Sequence, residues 1–295
     1  MAELLGMPPQ LFFGQLLLGL INGAFYAMLS LGLAIIFGML QIVNFAHGAT
    51  YMVGAFGAWM LMNYLGIGFW PALILTPLIV ALLGVILERL VLKHLYNLDH
   101  LYGMLATFGL ALIIEGLFRQ AYGISGLPYE IPTQLQGGTN LGFMFLPNYR
   151  AFVVLISIIL CFGTWYLIER TKMGMYLRAT TENRELVRAF GIKVPRLVTA
   201  TFALGVGLAA FAGVMAAPIY QVNPLMGNNL IIVIFAVVVI GGMGSILGAT
   251  LAGYLVGLVE GLTKAYYPEA SSTVVFILMI IVLIVRPSGL FGKEQ

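Results

Sequence analysis

Few residues of this chain carry groups able to do chemistry, and their spacing narrows what that chemistry can be. Asn44 and His47 stand three apart, so on a helix they would share one face. Asn22 precedes them in the same uncharged block. His47 has no second histidine or carboxylate at ligand spacing, so neither a metal centre nor a proton relay is expected around it. Cys161 is the single cysteine and lies in an apolar run, which removes disulfides and cysteine metal sites. Glu115–Arg119 and Glu260–Lys264 are acid-before-base pairs at i,i+4, the spacing of structural ion pairs along a helix. There is no nucleophile–base pair and no Gly-x-x-x-x-Gly-Lys-Ser/Thr phosphate loop, so an enzyme is not expected. Two readings of Asn22, Asn44 and His47 stand side by side. They satisfy backbone opened by a broken helix, or they line a polar pathway.

The elements that hold these residues follow from the charges. Of 295 residues, 61% are hydrophobic and 8% charged, against about a quarter charged in a soluble domain. No Asp, Glu, Lys or Arg lies between Glu3 and Glu88, Arg150 and Glu169, Arg196 and Glu260, or Glu269 and Arg286. A bilayer crossing needs about 20 apolar residues, so these blocks predict most of the spans. The 36 glycines fit, because small residues let transmembrane helices approach closely. The expected fold is an all-α polytopic integral membrane protein, with about eight transmembrane helices and one or two broken or re-entrant segments. The N-terminal Met1–Gln10 has no basic stretch of the signal-peptide kind.

Orientation follows from the basic residues. Arg170, Lys172, Arg178, Arg184, Arg188, Lys193 and Arg196 fall in one loop, which is expected to be cytoplasmic. Arg89 with Lys93, and Arg286 with Lys293, mark the same side. The net charge of +3 is thus concentrated in one loop and gives no sign of nucleic-acid binding. The loop Gly123–Tyr149 falls outside, and Gln221, Asn223 and Asn228 are expected as solvated outer-loop residues.

Two places resist a simple count. Leu11–Val43 would run roughly 50 Å as one helix, so it is either one overlong helix or two pieces, and the N-terminal side stays open. Leu230–Ile240 is short for a span and ends in Gly241-Gly242-Met243-Gly244-Ser245. Breaks of this kind point to a transport pathway, and helix N-termini at the breaks would suit a carboxylate. Gly48-Ala49-Thr50 and Gly248-Ala249-Thr250 form a weak internal echo.

Within the basic loop, Thr181 is expected to cap a short helix with Glu182 and Glu185 in its first turn and Arg188 in its last. Arg184 lies inside it, Gly191 can end it in a left-handed conformation, and Leu186 and Phe190 make one apolar edge. Such a helix either closes the loop or docks into a partner.

Three stretches resemble the permease subunits of the branched-chain amino-acid ABC importer family: Gly38-Met39-Leu40-Gln41-Ile42-Val43-Asn44-Phe45-Ala46-His47-Gly48, the loop Glu182–Ile192, and Gly241-Gly242-Met243-Gly244-Ser245-Ile246-Leu247-Gly248-Ala249. The tail Arg286–Gly292 is similar too, and the resemblance covers nearly the whole chain. The loop departs from the Glu-Ala-Ala pattern of importer permeases, with Leu186-Val187 where the alanines would follow. The resemblance implies one permease domain over residues 1–295 with a coupling loop at 170–197. It implies a second homologous permease, two cytoplasmic ATP-binding subunits carrying ATP and Mg, and an extracytoplasmic substrate-binding protein. This chain itself would bind no cofactor. The cargo would be a branched-chain or other small neutral amino acid, with urea or an amide as further options. The rival reading is a stand-alone secondary transporter or channel for a small polar solute. It would need ion-coupling carboxylates deep in the bilayer, and the only candidates, Glu115 and Glu260, have basic neighbours.

Overall fold

The computed structural model describes residues 8–40, 43–96 and 98–292. Gln41 and Ile42 of the first motif, Lys293 of the basic tail and Met1–Met7 of the N-terminal stretch lie outside the described residues.

Eleven α-helices follow one another among the described residues: α1 Pro9–Leu40, α2 Ala46–Leu65, α3 Phe69–Leu90, α4 His100–Tyr122, α5 Asn148–Arg170, α6 Lys172–Glu182, α7 Arg184–Ala189, α8 Val194–Tyr220, α9 Asn228–Gly241, α10 Ile246–Tyr266 and α11 Val274–Val285. Six are long and apolar enough to cross a membrane: α1, α3, α4, α5, α8 and α10. The 20-residue α2 and the shorter apolar α9 and α11 pack among them. One small departure from all-α structure is an antiparallel hairpin in the Gly123–Tyr149 loop, β1 Gly138–Asn140 against β2 Phe145–Pro147.

Leu11–Leu40 lies within one unbroken helix, which settles the question its length posed. No proline interrupts α1 after Pro9, and its glycines meet those of α10. A Cβ on Gly19 would lie 2.6 Å from the Gly257 carbonyl oxygen, and one on Gly253 would lie 2.5 Å from the Ala27 nitrogen. The two backbones therefore pack as closely as small residues permit. The helices run antiparallel, since Gly261 meets Gln15 at one end and Gly38 meets Gly244 at the other. Phe13 packs on Phe143 of the hairpin loop, while Met39 reaches Arg184. One end of α1 is thus beside the outer loop and the other at the basic end.

The break falls after α1. Gly32, His47 and Gly205 converge near the middle of α8, where a Cβ on Gly32 would lie 2.6 Å from the Gly205 carbonyl oxygen and 2.9 Å from the His47 ring. His47 also sits beside Leu29, eleven residues before Leu40. At helical rise that is roughly 16 Å inside the basic end, so α2 starts within the bundle. The α9 helix does the same from the opposite direction. After Val222 pairs with Leu127 of the outer loop, the chain turns inward, and Gly227 meets Gly48 before α9 begins.

Candidate functional site

At the α2 break the backbone is satisfied from within the chain. The Asn44 Oδ1 accepts from Ala46 N at 3.1 Å, and His47 N bonds the Asn44 carbonyl. Thr107 of α4 supplies the other partner: its hydroxyl accepts from Phe45 N at 3.2 Å and donates toward the Val43 and Met104 carbonyls. Thr107 is a site residue that the sequence does not announce. It is one threonine in an apolar span, and its role depends on a segment 62 residues away. The His47 Nε2 lies 3.0 Å from the Leu29 carbonyl oxygen, while its Nδ1 and the Asn44 Nδ2 are buried without a partner among the described residues. Asn44 lies in the turn before α2 and His47 in its first turn, so the two do not share one helix face. Asn44 leads into α2, its side chain accepting the Ala46 N–H and its carbonyl the His47 N–H.

The remaining expected pathway residues lie elsewhere. Asn22 is near the outer end, where its Oδ1 accepts from Tyr220 OH at 3.0 Å. It lines a cavity of about 140 Å³ with Gln15, Arg150, Tyr220 and Lys264. Gly241, Gly242, Gly244 and Ser245 turn the chain at the basic end. Gly242 and Gly244 adopt φ of 103° and 84°, which suit glycine alone. Ser245 caps α10 by accepting from Gly248 N at 3.1 Å. The tail clasps this turn: Leu290 N and Phe291 N donate to the carbonyls of Ile240 and Gly241. The structure thus brings Asn44 and His47 together and keeps Asn22 and the glycine turn apart from them.

The two acid–base pairs differ. Lys264 and Glu260 bond at 2.5 Å, and Tyr26 OH donates to the other Glu260 oxygen at 2.6 Å. Glu115 and Arg119 do not pair. Glu115 instead takes the side-chain amide of Asn228, because the start of α9 is drawn into the bundle beside α4. Asn228 is exposed, as expected, but it is the first residue of α9 rather than part of a loop, and its side chain is engaged by Glu115.

In the basic loop, α6 runs through Glu182, and Asn183 begins the next helix by accepting from Leu186 N at 2.9 Å. Asn183, not Thr181, is therefore the cap of α7. Thr181 bonds the Arg178 carbonyl inside α6, which makes Glu182 the last residue of that helix. Glu185 and Arg188 occupy the first and last turns of α7, and Gly191 follows at φ 80°. Val187 faces inward, whereas Leu186 and Phe190 are 56% and 77% exposed. Glu182, Glu185, Arg188 and Gly191 are exposed as well. The root of α7 is tied to α1 by Arg184, whose guanidinium donates to the Met39 carbonyl at 2.9 Å. Beside it, buried Glu88 of α3 accepts from Tyr96 OH at 2.9 Å and from Thr199 of α8 at 2.8 Å. Burial and the Glu88 carboxylate push the Tyr96 phenol well above its ordinary range, partly offset by Arg184, so it stays a donor. The basic end thus presents an exposed apolar edge on a helix bonded to the core spans.

The family model described as the branched-chain amino acid transport system permease component matches residues 15–283. The chain belongs to that family. Among curated relatives of this permease, the high-affinity branched-chain amino acid transport system permease protein LivH of Salmonella typhimurium is 28% identical over 297 residues, 96% of each chain. The corresponding protein BraD of Pseudomonas aeruginosa is 27% identical over 294 residues, 95% of this chain and 96% of its own. LivM of Escherichia coli, another permease protein of such a system, is 28% identical over 297 residues, 92% of this chain and 68% of its own. The permease is a multi-pass membrane protein of the branched-chain amino acid transport family.

Proposed function

We propose that this permease is the transmembrane subunit of an ATP-driven ABC importer for branched-chain or other small neutral amino acids, in a bacterial cytoplasmic membrane. The α7 helix is its coupling helix. The observation that carries this reading is the arrangement of α7: an exposed Leu186–Phe190 edge at the basic end, with Arg184 bonded to the end of α1. A push on that edge is delivered to a helix that spans the bundle.

In this reading Glu182, Arg184, Glu185, Leu186, Arg188, Phe190 and Gly191 meet an ATP-binding subunit. Two such subunits hold ATP and Mg and perform the hydrolysis. A second homologous permease completes the pathway, supported by the similarity of this one chain to both LivH and LivM. An extracytoplasmic binding protein delivers the amino acid. The pathway passes the level of Asn44 and His47, where two helices start inside the bundle, with Asn22 toward the outside. Gly241, Gly242, Gly244 and Ser245 form the turn at which the cytoplasmic end flexes. Helix starts at membrane depth are the usual marker of such a pathway.

Purification from the native membrane in mild detergent, followed by mass spectrometry, tests the assembly. Two ATPase subunits and a second permease in the complex are expected. A chain that purifies alone and moves solute in liposomes without ATP would replace this reading with a secondary transporter or channel.

A further inference from the structure

Leu101, Leu105, Phe108 and Leu112 form an exposed apolar stripe along α4 at i+3/i+4 spacing. The next two positions of the same stripe are Glu115 and Arg119. Both lie on an otherwise apolar span, Glu115 half-buried and Arg119 exposed. Glu115 is one turn beyond Ala111, which packs on Ala46 and Ala49 at the inner start of α2. Asn228, its amide partner, follows Gly227, which touches Gly48. The carboxylate therefore sits at the depth where both broken helices begin. A charged group facing hydrocarbon there costs about 2.5–3.5 kcal/mol or more. A structural ion pair would lower that cost, yet among the described residues Arg119 makes no ion pair and Glu115 binds only the neutral amide. Asn229, the residue after Asn228 on α9, is also exposed. By contrast the N–H groups at the α2 start are already taken by Asn44 and Thr107.

We infer that the charged end of this stripe, at Glu115 and Arg119, faces a watery passage rather than lipid, and that its two opposite charges receive the two ends of a zwitterion. Glu115, oriented by Asn228, accepts the ammonium of the amino acid, and Arg119, one turn outward, takes its carboxylate. The inference rests on the amino-acid reading above and names the groups that would recognise the cargo.

Two readouts on the purified complex, reconstituted in liposomes, separate the site from that reading. The first is labelling of Asn229→Cys by a charged, lipid-insoluble methanethiosulfonate in a Cys161→Ser background, with the exposed apolar position Ile113→Cys as the lipid control. The second is leucine uptake by Glu115→Gln and Glu115→Asp, with co-purification of the other subunits as the check on folding. Labelling at position 229 but not 113 is expected, together with a loss of leucine uptake by about tenfold or more in Glu115→Gln, as for a lost hydrogen bond to a charge. Partial recovery in Glu115→Asp is also expected. Protection of position 229 overturns the watery passage whatever the cargo. Full uptake by an assembled Glu115→Gln complex overturns ammonium recognition. A wild-type complex that carries no leucine overturns the amino-acid reading and the zwitterion assignment with it, while labelling still decides whether the face is wet.

Discussion

Gly48 and Gly227 are in backbone contact inside the bundle: a Cβ on Gly48 would lie 2.7 Å from the Gly227 carbonyl oxygen and 3.2 Å from the Ile231 side chain. One glycine is in the first turn of α2, and the other immediately precedes α9. The two chain segments reach this point from opposite ends of the molecule. Only residues without side chains allow both helix starts to occupy the same depth.

Replacement of Gly48 by leucine is therefore expected to separate the two helix starts and lower leucine uptake by about tenfold or more, with a loss of about 1–3 kcal/mol from overpacking. Gly116→Leu is the control, since nothing lies near its added carbon. Uptake and thermal unfolding in detergent should distinguish the two variants, and equal behaviour would contradict the account of the contact.

Thr107→Val keeps the shape of the side chain and removes the hydroxyl that serves Phe45 N and the Val43 carbonyl. The predicted cost is about 1–3 kcal/mol for a buried polar group left without its partner. Thr107→Ser should retain most of the stability. Parallel unfolding curves for the three proteins give the comparison, and an unaffected valine variant would mean the segment is held by other groups.

The membrane character was legible because its signal is composition, read within single segments. The count was not, since six helices among the described residues are long and apolar enough to cross, against about eight expected, and α9 and α11 are shorter. The α1 question was not legible either, because its answer lies in glycines of α10 more than 200 residues later. The cap of α7 was misplaced by two residues: Thr181 and Asn183 are both cap formers, and only the length of α6 chooses between them. Glu115–Arg119 looked like a structural pair because spacing within one helix was visible, while the inward turn that brings Asn228 to Glu115 was not. The echo of Gly48-Ala49-Thr50 in Gly248-Ala249-Thr250 links dissimilar places. Gly48 meets Gly227 within the bundle, whereas Gly248 packs on Gly241 near the basic end.

Tyr26→Phe removes the hydroxyl that donates to buried Glu260 at 2.6 Å. Hydrogen bonds to charged groups contribute about 1.5–3 kcal/mol, so a drop in thermal stability of that order is expected, with the Lys264 pair remaining. A loss no larger than that of an exposed Tyr102→Phe control would show that Glu260 relies on Lys264 alone.

At the other end, Phe190→Asp should leave α7 folded, since the side chain is 77% exposed, while weakening retention of the ATPase subunits by about 2 kcal/mol, the loss typical of a central apolar contact. Glu185→Arg or Gly191→Pro should leave the protein in the membrane yet uncouple hydrolysis from uptake, the second because Gly191 holds a φ of 80° that proline cannot adopt. ATP consumed per leucine moved is the quantity to compare. An unchanged ratio in all three would remove α7 from the coupling path.

The central claim is that this permease moves an amino acid only when ATPases act on α7. The most direct measurement is uptake of labelled leucine into liposomes carrying the co-purified complex, with ATP, without it, and with the Phe190→Asp chain in place of the native one. The account predicts uptake with ATP, none without it, and little in the variant despite normal membrane insertion. Uptake that proceeds equally without ATP would contradict it.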